Sequence, residues 1–414
     1  MRPLPALLGL LVLLAALPAA AGPEPPSPFA TAYNTQRKLA RVGDALYAAV
    51  TVEVGGILTV RVLSTTDGAT WTALPAPSAT GLASDRSALA VDVRGRLHLV
   101  WTELEVDGGQ VFHASFGGGS WTPPEQLSHS PGYAGFPSLA VDAQDRAHVA
   151  WYGFDGAFYQ IYYRRLDAAG WTPETALTHE STDATNPALA LARDGRVHIA
   201  WFRQDRQGTQ NEVAYLRLSG DVVEDARTVS PAGTDAIDPS LLVEPSGTVR
   251  IAWTALAGGD RIQSASWTDG VWSAPEFASP EGAGARHPSL ALTDAGGVRL
   301  VWEGGDGQIH VQSRSGGGWS APTALSAGGV NRYPSTRWAQ YHDPVCPAGI
   351  DVVWTHEEGG VRSLAHAVLP GETCGGASGG LPVTAIGVVA FLALVAVAVA
   401  LVRRHRKWYP KRPR

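Results

Sequence analysis

Cysteine is almost absent from this chain of 414 residues, which carries only Cys346 and Cys374, neither in a Cys-x-x-Cys pair nor in a Cys and His cluster. That excludes a cysteine-built zinc site and gives no setting for a catalytic thiol. A phosphate-cradling glycine loop and a His-Glu-x-x-His helix are also missing, which excludes P-loop and zincin chemistry. No Asn-x-Ser/Thr acceptor for an N-linked glycan occurs. Helical periodicity is missing from about residue 28 to residue 370, so bundles and helical solenoids are excluded. Positive charge is scarce as well. The total is −6, of which Arg2 and the seven basic residues of 403–414 carry +8, leaving −14 for residues 3–402. An acidic domain is a poor generic binder of nucleic acid or other polyanions, and no nucleic-acid partner is expected.

What is present is an internal repeat of about 50 residues. A tryptophan closes the same short apolar run six times, at Trp101, Trp151, Trp201, Trp253, Trp302 and Trp354, and a degenerate seventh copy ends at Val50. Each unit reads as four strands. The first is typified by Pro137–Asp142 and ends in a hairpin turn such as Asp92–Arg96. The second is the run ending in tryptophan, with little polar alternation, as suits a strand covered on both faces. A third follows with better alternation, as in Gln160–Arg165, and a fourth opens on another aromatic: Trp71, Trp121, Trp171, Trp272 or Trp319. Seven units of four antiparallel strands predict an all-β, seven-bladed β-propeller. The diglycine of kelch units and the Gly-His and Trp-Asp pairs of WD40 blades are missing. The repeating indoles are expected between blades, and the N-terminal stretch Ser27–Tyr33 is expected to complete the last blade, which lacks a fourth strand.

The ends of the chain set an expected domain order. Residues 1–21 have the short apolar core and Ala19–Ala21 cleavage pattern of a secretory signal. Residues 22–370 form the propeller ectodomain, and 371–382 a Gly-rich juxtamembrane linker. Residues 383–402 are apolar and uncharged, enough for one C-terminal transmembrane helix, and 403–414 form a basic tail that places the C-terminus in the cytoplasm. The expected setting is a single-pass cell-surface protein with its N-terminal domain outside. There Cys346 and Cys374 would form the one available disulfide, closing a loop worth roughly 3 to 4 kcal/mol on the chain-entropy account.

The segment Ser64–Trp71 resembles the Asp box, Ser-x-Asp-x-Gly-x-Thr-Trp, of the sialidase-like (BNR) propeller superfamily. Thr66 stands at the Asp position and the carboxylate comes one residue later, at Asp67. Weaker copies end at Trp121, Trp171, Trp272 and Trp319. The resemblance covers about residues 28–370 and implies structural turns away from any active site. It also implies what a sialidase would need: three arginines for the substrate carboxylate, a tyrosine nucleophile with a glutamate, and an aspartate acid/base.

Arg86, Arg286 and Arg332 stand two residues before the proline of the first strand, or before its alanine substitute, in blades two, six and seven. Gly135, Thr185 and Ile237 fill that slot elsewhere. The three arginines either converge as an anion site at one rim of the channel or pair with carboxylates such as Asp85. Tyr333 and Tyr341 are the candidate nucleophiles, with Glu103 and Asp107 as carboxylate partners, though spacing singles out none of them. His98, His148 and His198 recur three residues before tryptophan. Equivalent positions in neighbouring blades lie about 10 Å apart, too far to share one metal ion, so these histidines are expected to hydrogen-bond between blades. No metal and no cofactor is expected. The first functional expectation is binding of an extracellular protein or glycan ligand by loops on a rigid scaffold. An exo-sialidase-like glycoside hydrolase is the alternative, and a structural surface protein the second.

Overall fold

A computed structural model of the chain describes residues 24–77, 80–105, 108–204, 209–293, 297–315, 318–337 and 349–369. Alternating apolar runs punctuated by Gly and Asp turns form seven antiparallel sheets, each a meander in chain order. The innermost strands are Leu39–Val42, Ser84–Val91, Ala134–Val141, Ala184–Leu191, Ala236–Val243, Arg286–Leu292 and Val330–Thr336. The second strands carry the repeating tryptophans. These rings are between 0% and 5% exposed, as expected for residues covered on both faces.

The second set of aromatics binds five of the blades to the one before. Trp121 donates its indole N–H to the Pro75 carbonyl at 2.8 Å, and Trp319 donates to Ser264 Oγ at 3.0 Å. Trp171 packs edge-on to His113 and Trp272 edge-on to Tyr215. In the first blade Trp71 meets His366 of the last, which closes the ring. The Pro-Ser-Leu signature has a matching role at the axis. The hydroxyls of Ser138, Ser240 and Ser289 accept the backbone N–H of Leu189, Leu290 and Thr336 in the next blade, at 3.0 to 3.1 Å.

Two expectations need correction. The N-terminal segment does not complete the last blade, which has three strands among the described residues, Val330–Thr336, Ile350–Glu358 and Val361–Leu369. It pairs instead with the first blade. Pro26 bridges Val52, and Ser27 donates to the Thr51 carbonyl at 3.0 Å. The physical reason is that the innermost strand of that blade covers only Ala45–Ala48 of its neighbour, leaving residues 51–53 with unpaired backbone groups that the N-terminal residues satisfy.

The repeated histidines, secondly, bond within their own blades. His148 Nδ1 lies 2.7 Å from the Tyr163 hydroxyl, His198 Nδ1 2.8 Å from that of Tyr215, and His98 Nδ1 3.1 Å from His113 Nε2. Each partner sits on the third strand of the same sheet, next to the second strand that carries the histidine.

The remaining expectations about the termini fall on other residues. The signal segment, the linker, the apolar run 383–402, the basic tail, Cys346 and Cys374 all lie outside the described residues. Among the described residues no helix is long and apolar enough to cross a membrane.

Candidate functional site at the channel mouth

Past Ser27 the chain turns into the central channel. Asn34, Thr35, Gln36, Arg37 and Lys38 are all buried there despite their polar side chains. Their donors serve carbonyls on the innermost strands. Asn34 donates to Asp238 and Pro288, Gln36 to Arg86 and Pro137, and Lys38 to Ser87. Arg37 donates to Leu241, to Leu290 and to the hydroxyls of Ser289 and Thr336. One segment thus ties five blades together across the axis and sets Tyr33 at one mouth of the channel.

Every innermost strand from the second blade on carries an irregularity at that mouth. The register shifts between Asp85 and Ala88, Gly135 and Ser138, Thr185 and Ala188, Ile237 and Ser240, Arg286 and Ser289, and Arg332 and Ser335. Inside each shift one residue takes a left-handed backbone: Arg86, Phe136, Asn186, Asp238, His287 and Tyr333, with φ between 51° and 57°. Such a conformation is costly for bulky side chains and persists only where the surroundings impose it. Six chemically different groups therefore occupy one repeated position around Tyr33.

Arg86 sits in a box of rings. Its guanidinium carbon is 4.6 Å from the Phe136 centroid, 5.6 Å from Tyr33 and 5.9 Å from Tyr133, within cation–π range. It also pairs with Asp85. Burial pushes the Asp85 carboxyl up and Arg86 partly offsets this. Burial alone would weaken the guanidinium, yet Tyr133 and Asp85 hold its pKa above the ordinary value. Among the described residues, Asp85 Oδ1 and Arg86 Nε are buried without a hydrogen-bond partner, so the pair retains unused donor and acceptor capacity.

Across the mouth His287 Nδ1 lies 3.1 Å from Asp238 Oδ2. Burial opposes protonation of His287, but the bond to Asp238 outweighs it and the pKa is raised. The Tyr333 ring is 5.0 Å from His287, and its backbone N–H donates to Glu303 Oε2 at 3.0 Å. Burial, then Glu303, pushes the Tyr333 phenol up.

The three arginines do not occupy one structural slot. Arg286 and Arg332 align with Asp85, whereas Arg86 aligns with His287 and Tyr333, because Ser87 stands at the proline position. Arg286 turns to Asp260 of the preceding blade at 2.6 Å, and Arg332 is exposed. Glu103 is buried and accepts the Trp101 indole N–H at 3.1 Å, a packing role in the second blade. Asp107 and Tyr341 lie outside the described residues. Sequence reasoning missed Tyr33, Phe136, Asp238, His287 and Glu303. The available signal was the proline-aligned column in which Phe136, Asp238, His287 and Tyr333 stand.

The Asp box lies at the opposite face. Asp67 Oδ1 accepts the N–H groups of Ala69 and Thr70 at 2.8 and 2.7 Å, at the turn between the third and fourth strands. Its role is that of a structural turn.

No known family's profile and no curated protein matches this chain. Solved structures match by fold. A polysaccharide lyase of family PL25, an ulvan lyase bound to -[GlcA(1-4)Rha3S]-, superposes with a TM-score of 0.62 at 9% identity, covering 84% of this chain and 94% of its own. A protein of unknown function from Dyadobacter fermentans gives 0.52 at 15% identity, covering 70% and 95%. A Hadza microbial sialidase, Hz136, gives 0.48 at 13% identity, covering 78% and 73%. The chain is a seven-bladed propeller, and the fold expected from the Asp-box resemblance is the fold observed.

Proposed function

We propose that the channel mouth binds an acidic glycan, on a propeller displayed outside the cell by the single anchor at 383–402. The observation that carries this reading is the set of six left-handed side chains around Tyr33, with Arg86 boxed by three rings. The box offers apolar faces for pyranose C–H groups and one cation for a carboxylate or sulfate. The similar ulvan lyase holds a glucuronate-containing sugar on a propeller of the same kind, which supports a sugar over a peptide.

Titration calorimetry with a GlcA(1-4)Rha3S tetrasaccharide tests it. Wild type binds, and Arg86→Ala weakens binding at least tenfold. Equal affinity in the two proteins, or no binding to wild type, contradicts the reading. Protection of the C-terminal tail from protease added to intact cells, with cleavage of the propeller side, tests the orientation.

A catalytic reading rests on a different observation, the His287–Asp238 pair beside Tyr333 and Glu303. The raised Tyr333 pKa disfavours a phenolate nucleophile, so proton transfer by His287 is the stronger form of it. Release of product from the same tetrasaccharide by wild type, lost in His287→Ala, would establish catalysis. Turnover of a fluorogenic sialoside, lost in Arg286→Ala, would establish a sialidase instead.

A further inference from the structure

The third blade differs from the others along its mouth-facing edge. In the register opposite the strand irregularity it carries Tyr152, where the other blades have Thr102, Phe202, Thr254, Glu303 and Thr355. From Tyr33 outward the rings follow one another in contact. Phe136 on the first strand is 4.5 Å from Tyr33, Tyr152 on the second 5.1 Å from Phe136, and Tyr159 on the third 5.2 Å from Tyr152, with Phe154 of the second strand 5.5 Å from Tyr159 at its side. Tyr133 flanks Tyr152 at 5.7 Å, and Phe158 at the hairpin tip is exposed. Glycines make room for this row. A Cβ at Gly135 would collide with the Tyr133 hydroxyl, and one at Gly132 would press on the Phe154 ring.

We infer that this row is a series of sugar subsites, so that the ligand is a linear acidic polysaccharide lying radially along the third blade, with one acidic unit at Arg86. The inference rests on the glycan reading of the mouth and adds the length and direction of the ligand. Tyr152 and Tyr159 stand on the second and third strands at a spacing of 5.2 Å, similar to the length of a pyranose unit, and their phenols add hydrogen-bonding capacity beside apolar faces. The row is continuous with the Arg86 box through Phe136. Its one cation is at the inner end, while Asp155 and Asp183 stand at the outer end near the Phe154–Tyr159 hairpin. That polarity favours an acidic unit inside and neutral units outside.

Calorimetry of the full chain in detergent micelles, with di-, tetra- and hexasaccharides that carry one terminal glucuronate on an otherwise neutral chain, tests the inference. In wild type the Kd falls at least tenfold from di- to hexasaccharide. Tyr159→Ala weakens hexasaccharide binding at least fivefold and changes disaccharide binding less than twofold. Phe158→Ala, at an exposed position where folding is not at stake, gives a smaller change of the same pattern. A Kd independent of length, or an equal loss at every length in both variants, overturns the radial subsites while leaving the mouth as a sugar site. No binding of any length to wild type overturns both.

Discussion

Lys38 is a charged residue enclosed by the fold. It is 2% exposed, has no carboxylate within ion-pair distance among the described residues, and donates to Gln36 and Ser87 inside the channel. Burial pulls its ammonium down to about 7. The unfolded chain therefore holds a proton between pH 7 and about 10.5 that the folded protein releases, and stability rises with pH across that window. Denaturant unfolding between pH 7 and 9.5 measures this. The rise present in wild type is expected to vanish in Lys38→Met, and an unchanged slope would contradict the placement. The six left-handed residues were legible only in part. Phe136, Asp238, His287 and Tyr333 share a column next to proline, yet nothing in an Arg, Phe, Asn, Asp, His, Tyr set announces a common backbone conformation. The arginine pattern joined residues of two different slots, because Ser87 in place of proline shifted the second blade by one.

The strands were legible because their period and their tryptophans are local signals. The second strands, the hairpin turns and the packing of one blade on the next follow from them. The N-terminal segment was not legible at this scale. Innermost strands have one free edge facing the axis, and what pairs with that edge is decided by the closed ring, not by neighbours in sequence. Asn34 to Lys38 are polar in sequence, and only the assembled ring brings the carbonyls of four blades and the Thr336 hydroxyl of a fifth to them. Arg37 is the test of this element. Removing its guanidinium takes the side-chain donor from the Leu241 carbonyl and one of the two donors of the Leu290 carbonyl, which keeps the Thr336 hydroxyl, and a buried unsatisfied group costs about 1–3 kcal/mol. Arg37→Ala is expected to lose on the order of 3 kcal/mol of unfolding free energy, measured in urea, after some rearrangement. A loss within about 0.5 kcal/mol, the range of ordinary surface changes, would mean that the segment is not a tie.

At the scale of the whole molecule, closure depends on the seam between the first and last blades. Asp351 is its centre, 2.6 Å from Arg41 Nη2, 3.0 Å from His366 Nε2 and 3.3 Å from Arg337 Nε. Burial would raise its carboxyl, but the bonds to His366 and Arg41 prevail and pull it down to about 2. A depressed carboxyl stabilises the fold above its unfolded pKa of about 3.9 and loses that contribution as pH falls toward 2. Asp351→Asn should therefore lower Tm at pH 6 and flatten the acid limb between pH 4 and 2, as followed by thermal unfolding. A variant with the same acid limb as wild type would place closure elsewhere.

The ring, its sevenfold count and its acidic charge were all legible in the sequence. The mouth was not, since it is assembled from one residue per blade and from an N-terminal segment far away in the chain. The direct measurement is a crystal structure with the GlcA(1-4)Rha3S tetrasaccharide bound. A sugar acid is expected at Arg86 and a sugar ring against Tyr152. Sugar density elsewhere, for example between Glu180 and Arg203 on the fourth blade, with the mouth unchanged, would contradict it.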